Sequence, residues 1–137
     1  MTPRTSKRVS VDKSKFPDYR QLADQFSSGA ESEISLENWS AAALLIVHAA
    51  IAYTDALTIK IGGVKCQGDD HMAAVDLARE VVVLDEQGEK ALNHLWRIIQ
   101  EKNAVSYYGD SCTKDQADKL WKHLGRYKSW VVSVLGS

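Results

Sequence analysis

The chain has 137 residues, enough for one domain that buries roughly two-thirds of its unfolded surface with no metal or disulfide staple. Hydrophobic residues make up 45% and charged residues 26%, and the net charge of −1 excludes a nucleic-acid footprint spread over the whole molecule. Cys66 and Cys112 lie far apart with no C-x-x-C, which argues against a disulfide scaffold and suits a reducing, cytoplasmic setting.

Residues 1–15 hold Arg4, Lys7, Arg8, Lys13 and Lys15 against Asp12 alone, a net +4 that leaves −5 for the body. This stretch is Ser/Thr-rich without apolar periodicity. It is expected to be a flexible tail, either a solvated extension or a phosphate-contacting arm, ahead of one domain over 16–137. It lacks the apolar core of a signal peptide. A first helix is expected from Pro17, with Tyr19, Leu22, Ala23 and Phe26 at three-to-four spacing, ending near Ser27-Ser28-Gly29. A second is expected from an N-cap at Ser35, stapled by Ile34 and Trp39, to Ile61 before Gly62-Gly63. Apolar residues surround most of it, so Leu45, Ala49, Ala52 and Ala56 should be close-packed in the most buried helix. Its apolar run, 41–53, is short for a membrane span, and no membrane association is expected.

A third helix is expected to open at Asp69 or Asp70 and to close through "VVVL" (81–84). A fourth starts near Gly88 and presents Leu92, Leu95, Trp96 and Ile99. A fifth opens with a Thr113–Gln116 capping box and carries a seam from Ala117 to Val134. No strand–turn–strand signal stands out. The predicted fold is all-α: an antiparallel four- or five-helix up-and-down bundle.

Motif chemistry is sparse. There is no G-x-G-x-x-G, Walker-type Gly-Lys-Ser/Thr, H-E-x-x-H or E-x-x-H. His48, His71, His94 and His123 never stand at i, i+4, so a metal site would have to be assembled across helices; no metal or cofactor is expected. His48 and Asp55 share one face of the second helix about two turns apart, as core or interface hydrogen-bonding groups or as a secondary site.

The fourth helix ends in "LWRIIQEKNAVSYYG". A long apolar helix, an Asp-His-led helix, this segment and a capped last helix together resemble the HEPN family (higher eukaryotes and prokaryotes nucleotide-binding) over roughly 35–135. The sharpest point is "KNAVSY" (102–107). Family members are small helical bundles that usually dimerise with their motif helices facing. Active ones are metal-independent RNases, and others are non-cleaving partners of minimal nucleotidyltransferases in toxin–antitoxin pairs.

Carried over, Lys102 stands at the Arg position of the motif, Asn103 at the polar position and Tyr107 at the His position. Lys lacks the bidentate fork that suits a phosphate, and Tyr is a poor proton shuttle at neutral pH. Helical spacing puts Asn103 and Tyr107 within about 40° of each other and Lys102 about 100° from Asn103. The stretch is therefore a polar helix end, a binding groove that includes Arg97, or a degenerate catalytic site. The resemblance implies a non-cleaving helical module, associated with nucleotide or RNA or with a nucleotidyltransferase-like protein. The alternatives are a metal-independent RNase and a structural bundle without ligand. A homodimer is expected through an apolar surface of Leu95, Trp96, Ile98 and Ile99.

Overall fold

The computed structural model describes residues 7–68, 70–107 and 111–136, with 102–107 as backbone alone. A strand β1 (Lys7–Ser10) and a 3-10 turn (Lys13–Lys15) lead into α1 (Phe16–Ser35) and α2 (Trp39–Gly62). Strand β2 (Val64–Gln67) and the short α3 (Met72–Val81) follow, then α4 (Glu86–Tyr107) and α5 (Lys114–Leu135).

The helix directions follow from which residues meet. Between α1 and α2, Phe26 lies 5.5 Å from His48 ring to ring, and Asp24 accepts a hydrogen bond from the Tyr53 hydroxyl. Between α4 and α5, His94 meets His123, and Gly88 lies against Trp130. Both pairs are antiparallel. In contrast, α2 and α5 run the same way: Ser40 bonds to Cys112, Thr54 to Tyr127 and Lys60 to Leu135. The long helices thus form an up-down-up-down bundle, and α3 occupies the connection between α2 and α4. This is the all-α bundle expected from periodicity.

Helix α2 is its axis. Every residue from Ala52 to Ile59 is buried, which is more than two turns without a solvent face. Ala49, Ala52 and Ala56 are packed as expected, whereas Leu45 is only partly covered and Leu44 is exposed. With 24 residues α2 is long and apolar enough to cross a membrane by composition. However, 78% of its most apolar window is buried inside the bundle.

Four expectations need correction. Residues 7–15 are not a free tail. β1 pairs antiparallel with β2 from Lys7↔Gln67 to Ser10↔Val64. A two-stranded ribbon is marginal alone. Here Arg8 clamps Glu80 of α3 through two hydrogen bonds of 2.7 and 2.9 Å, and the Val11 N–H donates to the Gly63 carbonyl. The partner strands have α1 and α2 between them in sequence, so no hairpin signal could reveal them.

Helix α1 does not stop at Ser27-Ser28-Gly29. Ala23, Ser27 and Ala30 are buried, and a Cβ on Gly29 would lie 3.3 Å from Leu45 Cδ1. The small residues therefore let two helices approach closely rather than end one. As a result Ser35 is the last residue of α1, where its hydroxyl donates back to the Glu31 carbonyl, and Asn38 precedes α2. Finally, "VVVL" leaves the helix at Val82, which is extended, and Val83 is 99% exposed. β-Branched residues resist helix weakly. Asp85 then restarts the chain by accepting the Gly88 N–H at 2.8 Å as a cap for α4. At the start of α3, Asp70 accepts from the Met72 N–H, while Asp69 lies outside the described residues.

Candidate functional site: a cationic groove between α4 and α5

Helices α4 and α5 send Leu92, Leu95, Ile99, Leu120, Leu124 and Val131 into the core. That leaves their polar stripes side by side. On α4 the stripe runs Lys90, His94, Arg97, Glu101, at spacings of four, three and four. On α5 it runs Lys119, Lys122, Arg126, with His123 beside it. Between them lies a cleft of about 370 Å³ lined by Trp96, Arg97, Glu101, Lys119, Lys122 and Arg126. It continues past His94 and Gly125 to Ser129 and Trp130, with Lys122 and Arg126 shared by both parts.

The charge is one-sided. Among the described residues lining this part of the cleft, Arg97, Lys119, Lys122 and Arg126 stand with a single carboxylate, Glu101. Among the described residues none of these four cations is held in an ion pair, whereas Lys90 is matched by Glu86 at 3.6 Å. Unpaired cations converging on a concave surface raise the local concentration of anions. The net −5 of the sequence body therefore hides a local positive site.

At its centre His94 Nδ1 and His123 Nδ1 stand 2.9 Å apart, with ring centroids 5.1 Å apart. Only one proton fits between two ring nitrogens. The neutral pair therefore consists of opposite tautomers, one ring with a bare Nε2 and the other with an Nε2–H. Burial lowers the His94 pKa first, and Arg126 and Arg97 lower it further. Burial likewise leads for His123, with His94, Arg97 and Arg126 adding to it and Glu101 opposing. Both rings are thus held neutral near pH 7. A bound anion would oppose that lowering, because it favours the charged form.

Of the residues singled out from sequence, Arg97 lies in this groove. Lys102, Asn103 and Tyr107 continue α4 beyond it, and their side chains lie outside the described residues. Helical spacing alone puts position 102 about 140° around the axis from Arg97. His48 and Asp55 are not brought together. His48 is exposed against Phe26, while Asp55 is buried and faces Lys65 of β2 at 3.8 Å. Burial pushes the Asp55 carboxyl up to about 7, and the pull of Lys65 only partly opposes it. The apolar surface invoked for a dimer is also reassigned. Leu95, Ile98 and Ile99 are buried within their own chain, and of that set Trp96 alone is exposed, at 44%.

Sequence reasoning missed His94, His123, Lys119, Lys122 and Arg126. The Lys119-x-x-Lys122-x-x-x-Arg126 spacing was a usable signal for a basic stripe. Which helix faces it could not be read from spacing. Among the described residues no three His, Cys, Asp or Glu side chains converge as a metal site would require.

Fold and groove define an all-α four-helix bundle with a cationic cleft between its last two helices. No protein-family model matches this chain, and neither a curated protein nor a solved structure does.

Proposed function

We propose that this chain is a non-cleaving, HEPN-like helical module that holds the phosphate groups of a nucleotide or nucleic acid in the α4–α5 groove. The observation that carries this is the convergence on one cleft of four cations, Arg97, Lys119, Lys122 and Arg126, that no ion pair holds among the described residues. Phosphate is the common ligand whose charge and acceptor oxygens use both Arg forks and Lys ammonium groups. The layout and the "KNAVSY" segment support the family resemblance. Lys102 and Tyr107 stand where catalytic members carry Arg and His, which supports binding without cleavage.

The test is direct. Purified protein titrated with fluorescein-labelled RNA oligonucleotides should bind, and the paired Arg97→Ala/Lys122→Ala variant should bind at least about tenfold more weakly. The same RNA should stay intact for hours with or without EDTA. Cleavage in EDTA that Tyr107→Phe abolishes would establish a metal-independent ribonuclease instead. Full binding by the double variant would remove the groove from the function.

A further inference from the structure

Two features of the groove are left unused by phosphate binding alone. The first is Gly125, an exposed residue in the interior of α5 that lines the cleft beside His94 and Arg126. Its φ is not in the left-handed region, and a Cβ built on it meets nothing within 4 Å. Neither backbone geometry nor packing requires glycine here, and glycine inside a helix is less stable than alanine. The second is a pair of tryptophans. Trp96 is 44% exposed and lines the part of the cleft that holds Arg97 and Glu101, and Trp130 lines the other part, where it packs against Gly88. Gly88 and Trp96 are eight residues apart on α4, an offset of about 12 Å along the helix axis between the backbone positions that hold Trp96 and meet Trp130.

We propose that the groove takes a single-stranded nucleic acid whose backbone crosses α5 over Gly125, with bases stacked on Trp96 and Trp130. This rests on the phosphate-holding role proposed above and names the ligand. Cations that track a backbone, with aromatic faces that accept bases of any sequence, are the two components of sequence-tolerant single-strand binding. A duplex keeps its base faces stacked internally, so it offers nothing to either indole. It also presents phosphates on a convex surface that does not reach the floor of a cleft between two packed helices. At Gly125 the missing side chain leaves the α5 backbone open to close approach, which accounts for a glycine that the fold itself does not need.

The experiment uses the full chain and four probes: an unstructured single-stranded RNA of about a dozen nucleotides, the DNA of the same sequence, the RNA annealed to its complement, and inorganic polyphosphate. Both single strands should bind at least about tenfold tighter than the duplex and should quench tryptophan fluorescence. Trp96→Leu should weaken single-strand binding about tenfold while leaving polyphosphate binding unchanged. Gly125→Leu should weaken single-strand binding without lowering the melting temperature, which separates a blocked groove from a damaged fold. Duplex or polyphosphate bound as tightly as the single strands, with no effect of Trp96→Leu, would overturn the single-strand assignment and leave the phosphate groove standing. Binding of none of the four probes would overturn both. A preference for one sugar over the other would keep the assignment and identify the strand as RNA or DNA.

Discussion

Asp55 shows what burial does to one charge. Its side chain is only 12% exposed, and Lys65 stands 3.8 Å away. Desolvation outweighs that attraction and raises the carboxyl from 3.8 to about 7. The folded state therefore binds this proton more tightly than the unfolded state does. Its contribution to stability is complete below about pH 3.8 and is lost as pH rises through about 7. Asp55→Asn removes the ionisable group while keeping its shape. The variant should be more stable than the parent at pH 8, by at most about 4 kcal/mol, and the advantage should shrink towards pH 4. Thermal melts across that range check it. A variant less stable than the parent at pH 8 would mean that the carboxylate–Lys65 pair holds the fold together. The sequence placed Asp55 on the same face as His48, two turns away. It could not show that one of the two would be exposed and the other buried, because that depends on what packs on each side of α2.

At the scale of elements, local chemistry was legible and nonlocal chemistry was not. The Thr113–Gln116 capping box is present in full: Thr113 Oγ1 accepts the Gln116 N–H at 3.1 Å, and Gln116 Oε1 accepts the Thr113 N–H at 2.9 Å. Both partners lie within one turn, so residue types at fixed spacing were enough. Thr113→Ala should cost about 1 kcal/mol, read as a shift in the denaturation midpoint. No shift would mean that packing of α5 alone fixes its start. The Gly62-Gly63 stop was legible for a similar reason. Gly63 adopts φ 66° at the end of α2, a conformation that glycine accepts most readily. Ser27-Ser28-Gly29 misled because the same small residues serve two ends. They loosen an isolated helix, yet between two helices they permit close approach. Only the presence of Leu45 across the interface decides which effect wins. The strand pair β1–β2 was invisible because its partners are brought together by the α1–α2 hairpin and not by any turn between them.

For the whole molecule, composition gave the class and obscured the site. Near-neutral charge and ordinary hydrophobicity suited one globular domain, and apolar periodicity made it helical. The same average concealed four cations, unpaired among the described residues, gathered by the antiparallel packing of α4 on α5. Arg97 was singled out for its closeness to "KNAVSY", but its groove partners come from the other helix. The central claim is that these cations neutralise phosphates, and each phosphate contact releases counterions. The most direct measurement is therefore the salt dependence of binding to a single-stranded oligonucleotide. The logarithm of the association constant should fall linearly with the logarithm of salt concentration, with a slope of about −0.7 per phosphate neutralised. Arg97→Ala/Lys122→Ala should make that slope shallower by about 1.4, two contacts' worth. A slope the double variant leaves unchanged, or binding that is indifferent to salt, would contradict a phosphate-holding groove between α4 and α5.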